Sequence, residues 1–325
     1  MNQDKIIFSV LIICYNHEKY IEDAIKSVLA QTYRNIEIVI CDDFSTDNSW
    51  EIIHAYMPEL LKEFGRVVAF RNTKNLGLTM SLNKMILETN GTIIYALSGD
   101  DMISENYVTD IVNAYIEHPE VAVFVTNGLW VEEEVKYSEF DISSLDPFYT
   151  ERPDFCKDTL FERLYWQNCI FAPGASLRKE IFAQFGLYDT NICIEDLEYW
   201  LRISLTKEIG FLYIDKTDVF YRKNPNSASS TVKNEHFLER FLLYLDANEK
   251  IIDKYGPYVK RDEYIKRKWA FLLEELTFYK RNIPQNERKI LKEKIGPFIK
   301  KNWIMLGWKQ LTMYYHIYIL SLLKI

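Results

Sequence analysis

Apolar and polar positions alternate between two periods along the first 130 residues. Ile6–Ile13 is a nearly continuous apolar run, the pattern of a strand buried on both faces. Glu18–Gln31 then repeats apolar residues at helical spacing through Ile21, Ala24, Ile25, Val28 and Leu29. Ile36–Cys41 reads as the second strand, and Asp47 as an N-cap for a helix running to about Phe64. Val67–Phe70 reads as a third strand, Thr79–Leu87 as a helix and Thr92–Leu97 as a fourth strand. Glu105–Glu117 reads as a helix and Val121–Thr126 as a fifth strand. Repeated β-α units of this kind predict a parallel sheet covered by helices on both faces, with right-handed crossovers.

Polar residues follow these strands with some regularity. Asn16 comes after the first, Asp42-Asp43 after the second, Asn75 and Gly77 after the third, and Ser98-Gly99-Asp100-Asp101 after the fourth. Open α/β sheets bind ligands at the carboxyl ends of their strands, so carboxylates and amides are expected to gather on one edge. Two adjacent carboxylates there cannot both be buried without a partner; the end of a strand facing a cleft suits a hard divalent cation holding a phosphate. From Val131 to about Lys157 the chain is irregular and polar, and its triplet Glu132-Glu133-Glu134 reads as a solvated face. Past about Asn234 long helical patterns take over, broken at Gly256-Pro257, Pro284 and Gly296-Pro297.

Composition narrows the class. Of the 325 residues 48% are hydrophobic and 26% charged, a globular profile with room for one large or two small domains. The net charge of −8 is unevenly spread. Asn248–Ile325 holds 17 Lys and Arg against 8 Asp and Glu, so the rest of the chain is strongly acidic. An acidic body argues against nucleic acid at the main site, and a basic tail permits contact with an anionic membrane surface. The five cysteines are scattered without a C-x-x-C pair, and the three in or beside apolar runs read as buried thiols in a reducing compartment rather than a disulfide framework or a zinc site. No signal peptide is visible and no stretch is long enough to span a bilayer; a cytoplasmic location is expected.

Taken in order, several segments resemble the family 2 glycosyltransferases of the GT-A fold. They are Val10-Leu11-Ile12-Ile13-Cys14-Tyr15-Asn16, Ser27-Val28-Leu29-Ala30-Gln31-Thr32-Tyr33, and Glu37-Ile38-Val39-Ile40-Cys41-Asp42-Asp43-Phe44-Ser45-Thr46-Asp47. Asn75-Leu76-Gly77 and Ser98-Gly99-Asp100-Asp101 follow, then Gly186-Leu187-Tyr188-Asp189 and Glu195-Asp196-Leu197-Glu198-Tyr199-Trp200-Leu201-Arg202. The likeness covers about residues 6–225. It implies a Rossmann-like, mostly parallel sheet with helices on both faces, followed by a helical C-terminal region. The catalytic domain is expected over 1–233, its nucleotide half about 1–130 and its acceptor half about 131–233. A helical, basic region is expected over 234–325.

The resemblance also implies roles. Asp43 matches the carboxylate that accepts from uracil N3–H, a task suited to an acceptor-only group; an Asx turn or helix cap is the structural alternative. Ile13 would approach the base through its carbonyl, Tyr15 lies beside it, and Asn16 would order the loop. Arg71 or Lys74 is placed to touch uracil or phosphate. Asp101 matches the ligand of Mg2+ or Mn2+, and Asp100 the residue near ribose or metal. Many relatives carry an acid where this chain has Ser98, and a His beyond the Tyr221-Arg222 pair where it has Asn224 and Asn226. Asp196 matches the base that takes the acceptor proton, with Glu195 supporting it or serving as the alternative base; both otherwise cap a helix over Leu197–Leu205. Trp166, Gly174 and Ser176 fall where the acceptor docks.

The expected activity is inverting, metal-dependent transfer from a nucleotide sugar, a UDP-sugar in the first instance, to a saccharide or lipid-linked saccharide in bacterial polysaccharide or glycoconjugate assembly. A non-catalytic sugar-nucleotide-binding protein on the same fold is the alternative, supported only by Ser98. A dehydrogenase would need G-x-G-x-x-G after the first strand, where this chain has Cys14-Tyr15-Asn16-His17-Glu18. Two readings stay open for the aromatic tail Trp303–Ile325: an interfacial segment at the cytoplasmic face of the plasma membrane, or a helix docked on the protein itself or on a second subunit.

Overall fold

The computed structural model describes residues 5–137, 148–149, 152–224, 227, 237–268 and 270–271. Contacts divide the chain into two compact units, Met1–Ser230 and Thr231–Ile325.

The first unit is built on one mixed sheet. β1 (Phe8–Cys14), β2 (Ile36–Asp42), β3 (Arg66–Arg71) and β4 (Ile93–Ser98) pair in parallel in the order β3-β2-β1-β4. β1 and β2 are buried at every position, which is why their sequences run apolar on both faces. The helices between them are α1 (Ile21–Leu29), α2 (Ser49–Glu63) and α3 (Leu78–Glu88). α1 buries Ile21, Ala24, Ile25 and Val28 as the periodicity predicts. Asp47 lies one residue before the N-cap Asn48 of α2, and its carboxylate accepts from the Ser49 amide (3.0 Å) and hydroxyl (2.6 Å).

The remainder of the sheet departs from the parallel pattern. β5 (Met102–Ile103), α4 (Tyr107–Glu117) and β6 (Val121–Val131) are followed by α5 (Leu160–Trp166), β7 (Ala175–Arg178) and α6 (Glu180–Phe185). The unit closes with α7 (Glu195–Ser204) and β8 (Gly210–Arg222). The full order is β3-β2-β1-β4-β7-β6-β8-β5. β7 is inserted antiparallel between β4 and β6, and β5 pairs antiparallel with β8. The sheet is mostly parallel, as the fold implies, with β7 and β5 as its antiparallel members. β7 has only four residues, too few to show a period, and β8 interrupts its apolar positions with Asp215, Lys216 and Asp218. The five cysteines are free thiols, with Cys14 and Cys41 buried and pushed up to about 12 by that burial.

A polar cluster pins the amino-terminal edge of the sheet. Glu37 is buried in β2 and accepts from Ser9 Oγ (2.5 Å), the amides of Asn90 (2.6 Å) and Gly91 (2.7 Å), and Arg66 Nη1 (3.0 Å). A buried carboxylate with four donors meets the requirement that isolated charge be answered. It also locks β1, β2, β3 and the start of β4 in register, so that their carboxyl ends finish level: Cys14 opposite Asp42 and Ile13 opposite Ser98.

The second unit contributes α8 (Phe237–Tyr255) and a 3-10 turn, Gly256–Tyr258. Helix resumes at 261, and Tyr264 folds back to donate to Asp253 (3.0 Å). No helix among the described residues is long and apolar enough to cross a membrane. The aromatic tail Trp303–Ile325 lies outside them.

One buried acid in β8 gives the fold a measurable pH dependence. Asp218 Oδ1 accepts from Ser104 Oγ (2.5 Å), whereas Oδ2 is buried without a partner. Burial, helped by the charge of Asp110, pushes its carboxyl up to about 6, against roughly 3.9 in an unfolded chain. The folded state therefore holds the extra proton. The contribution of this group to stability is complete below about pH 4 and is lost as pH rises through about 6. Asp218→Asn is expected to raise unfolding stability at pH 7.5 by about 1–2 kcal/mol, with the gain shrinking toward pH 4. Urea titrations at both pH values measure this; equal effects at the two would disprove the assignment.

Candidate active site

The carboxyl edge of the parallel strands collects the polar residues picked out in the sequence. Asp42 is fully buried and paired with Arg71 Nε at 2.9 Å. It also accepts from the Ser45 amide (3.1 Å) and from its hydroxyl. Arg71 donates its other end to the Ser45 carbonyl, so its guanidinium is engaged in this turn. Asn16 and Phe44 both have positive φ, 54° and 68°, and their loops are sewn together. The Asn16 amide donates to Ser45 Oγ (2.9 Å), and Asn16 Oδ1 accepts from the Thr46 amide (2.8 Å). Tyr15 and Lys74 are exposed beside these loops. The Ile13 carbonyl accepts from the Gly99 amide (2.8 Å), which joins it to the neighbouring turn and leaves its second lone pair.

Asp43 is buried and serves the entry to α3. Its Oδ1 accepts from Asn72 Nδ2 and the Leu76 amide, and its Oδ2 from the Gly77 amide, all at 2.8 Å. Gly77, at φ 81°, precedes the first residue of α3. The carboxylate thus answers donors that the helix start leaves unpaired, while Oδ2, with a single bond, keeps acceptor capacity.

Asp100 and Asp101 are both buried at the end of β4. Asp100 accepts from Ser98 Oγ and, at 2.9 Å, from Asn224 Nδ2. Asp101 Oδ1 accepts from the Arg222 amide at 2.9 Å. Burial first, and then the charge of Asp100, hold the Asp101 carboxyl well above the usual carboxylate range. The nearest guanidinium does not neutralise the pair directly. Arg222 is itself buried and directs its N–H groups to the carbonyls of Asp100 (2.8 Å), Glu133 (2.7 Å) and Val135 (2.6 Å), with Asp23 at 3.4 Å. The triplet is otherwise a surface one: Glu132 pairs with Lys223 and Glu133 with Tyr20 and Lys19.

His17, unmarked in the sequence reading, belongs to this site. Its Nε2 is 3.9 Å from Asp100 Oδ2, and its Nδ1 is buried with no partner. Nδ1 is packed against Gly99, so closely that a Cβ there would stand 2.9 Å from it and 3.0 Å from the Ile13 carbonyl. Asn224 is likewise a functional neighbour, since it bonds Asp100 from a position where the sequence showed only a missing histidine. Asn226 lies outside the described residues.

The second acid pair opens α7. Asp196 Oδ2 accepts from Asn168 Nδ2 at 2.8 Å. Both acids keep part-exposed tips but are closely surrounded by protein, and desolvation raises both carboxyls, that of Glu195 to about 8 with the charge of Asp196 as second cause. Their helix is anchored at two levels. Arg202 pairs with the buried Glu198 and donates to the carbonyls of Phe185 (3.0 Å) and Leu187 (2.7 Å). Tyr188 exchanges two hydrogen bonds with Asn83 of α3, at 2.9 and 3.0 Å. Trp200 is buried in the core.

Of the residues expected at the acceptor, Trp166 is exposed at the end of α5. Ser176 is corrected: it is fully buried in β7 with its hydroxyl 2.9 Å from that of Tyr107, out of reach of an acceptor. Gly174 is buried too, and a Cβ there would stand 2.4 Å from the Thr126 carbonyl; close packing accounts for it. Among the described residues no group of three or more His, Cys, Asp or Glu side chains gathers as a preformed metal cage.

Comparison with known proteins assigns the class. The profile described as "Glycosyl transferase family 2" matches residues 9–186, more than half of the chain, and the chain belongs to that family of glycosyltransferases. It is similar to glycosyltransferase GlyG of Streptococcus pneumoniae serotype 4, 30% identical over 154 residues, 47% of each chain. It therefore spans about half the length of that relative. It is 26% identical over 230 residues to WfaP of Escherichia coli, named a UDP-Glc:alpha-D-GlcNAc-diphosphoundecaprenol beta-1,3-glucosyltransferase, covering 69% of this chain and 80% of WfaP. The fold matches that of S. aureus TarS 1-349 solved with UDP-GlcNAc, with a TM-score of 0.62 at 18% identity over 90% of this chain and 80% of that one. The mixed sheet is thus of the GT-A type.

Gly99→Ala tests the packing of the carboxylate turn. The added methyl would press on His17 Nδ1, the Ile13 carbonyl and Ile21 Cδ1, the last at 3.1 Å. A loss of about 1–3 kcal/mol of stability is expected, read by denaturant unfolding. An unchanged midpoint would show that the turn has slack.

Proposed function

We propose that this chain transfers a sugar, with inversion, from a nucleotide sugar to a hydroxyl of a saccharide or lipid-linked saccharide, making a β-glycoside from an α-linked donor. The observation that carries the reading is the buried Asp100–Asp101 pair, whose carboxylates no Lys or Arg side chain among the described residues bridges directly. Two such carboxylates, hard oxygen donors at the carboxyl edge of the sheet, suit Mg2+ or Mn2+, which needs only one or two carboxylates when phosphate oxygens and water fill the rest. Asp101 is the firmer ligand, with Asp100 beside it and Ser98 and Asn224 fixing how Asp100 is turned. When bound, the ion holds the diphosphate and offsets the charge that develops on it as it leaves.

The chain's own residues do the rest. Asp43 offers Oδ2 to the N3–H of uracil, consistent with a UDP-sugar donor. Lys74, exposed on the loop before α3, is the freer of the two cations near the nucleotide, because Arg71 is engaged with Asp42. Asp196 takes the proton of the acceptor hydroxyl as its oxygen attacks the anomeric carbon, opposite the departing diphosphate. Trp166 offers an exposed ring to the acceptor sugar. As part of the same proposal, we place the reaction at the cytoplasmic face of the plasma membrane. The name of WfaP, with its diphosphoundecaprenol acceptor, supports a lipid-linked acceptor. It also supports a place in bacterial surface-polysaccharide or glycoconjugate assembly.

A screen of UDP-sugars and GDP-sugars for donor hydrolysis with Mn2+ identifies the donor; absence of turnover together with absence of uridine nucleotide binding would rule the reading out. Asp196→Asn is expected to lower kcat about 100- to 10,000-fold while leaving the Kd for UDP unchanged. Retained turnover would remove Asp196 as the base. Asp101→Asn is expected to abolish the Mn2+-dependent part of UDP binding in calorimetry; equal binding with and without the ion in the native protein would instead remove the metal.

A further inference from the structure

We infer that Asn168 is a positioning residue that divides the labour within the acid pair, its amide holding Asp196 as the ionised member and leaving the shared proton on Glu195. The kinetic part of this inference rests on the reading of Asp196 as base; the division of the proton does not.

Glu195 and Asp196 are adjacent at the first turn of α7, and no side chain caps the helix before them. Two neighbouring carboxylates largely removed from water do not both ionise readily. Among the described residues neither has a salt-bridge partner, so hydrogen-bond donors decide which one keeps the proton. Those donors are unequal. Asp196 accepts from Asn168 Nδ2 at 2.8 Å. No side chain among the described residues donates to Glu195, whereas the start of α7 presents the Leu197 amide to Asp196 as a further influence favouring its charge. Donation to a carboxylate favours its charged form, and the asymmetry therefore selects Asp196. The higher position of Glu195, about 8, agrees with this.

The orientation of the Asn168 amide is itself determined. Its Oδ1 accepts from the Ile170 amide at 3.2 Å, which turns the NH2 group toward Asp196. The segment carrying it is stitched at Tyr149, whose hydroxyl donates to the Cys169 carbonyl (2.9 Å) and accepts from the Phe171 amide (2.7 Å). The other ionisable group facing the pair is Tyr188, on the loop before α7, whose phenol is pushed up by burial, by Tyr199 and by the charges of both acids, with Arg202 opposing. It adds no positive charge, so among the described residues the amide of Asn168 is the polar side chain that separates the two acids.

The test is a side-chain carboxyl titration by NMR on the full chain, with the two signals assigned by their loss in Glu195→Gln and Asp196→Asn. The lower-titrating signal is expected to be that of Asp196. Asn168→Leu, close in size but without a donor, is expected to move it upward by about one unit; Asn168→Ser serves the same purpose if the leucine variant does not fold. The acidic limb of kcat/KM against pH should shift upward by the same amount, with the Kd for UDP unchanged. If Asn168→Leu leaves both signals in place, or if the lower signal is that of Glu195, the inference is wrong. If instead the titration shifts as expected but Asp196→Asn remains active, the reading of Asp196 as base is what fails.

Discussion

Arg222 is a guanidinium without access to water, and each of its N–H groups must find an acceptor in the protein. Its partners come from the turn after β4, from the segment after β6 and from α1. Its main-chain N–H fixes Asp101 from β8. Four stretches of chain that are distant in sequence thus converge on a single side chain. Removing one partner of such a buried ionic group commonly costs about 3–5 kcal/mol, because the remaining charge cannot be rehydrated. The carboxylate turn therefore owes its shape to the last residue of the last strand rather than to its own four residues.

The two ends of the sheet use buried charge differently. At the amino-terminal edge Glu37 has an amide, hydroxyl or guanidinium for each direction in which it can accept, and the strands are locked there. Asp101 at the carboxyl edge, and Glu195 and Asp196 at the start of α7, have fewer donors than such groups require, and their proton affinities rise. The saturated end sets register, and the unsaturated end remains able to exchange protons or cations with a ligand.

Strand-helix alternation over the first 130 residues was legible because both periods are long and uninterrupted there, and the family motifs carry the positions of Asp43, Asp100, Asp101 and Asp196. The antiparallel strands β7 and β5 were not legible. Four-residue β7 has no period, and β8 places charged residues among its apolar ones. The family likeness drew Ser176 and Gly174 toward the acceptor, whereas β7 buries Ser176 in the sheet and Gly174 is buried in the turn just before it. His17 and Asn168 were overlooked for a different reason: their roles arise from residues about 80 and 28 positions away. A lone histidine or asparagine in a loop has no linear signature of such a contact.

The exchange of hydrogen bonds between Asn83 and Tyr188 has a mechanical consequence. α3 starts at the loop that Asp43 holds, and midway along it Asn83 grips the loop leading into α7. Asp43 and the acid pair of α7 are thereby linked through one helix. A displacement of the loop before α3 is carried along the first half of that helix, from Leu78 to Asn83, into the loop that leads to α7, so the two loops are coupled through a helix rather than through side chains alone.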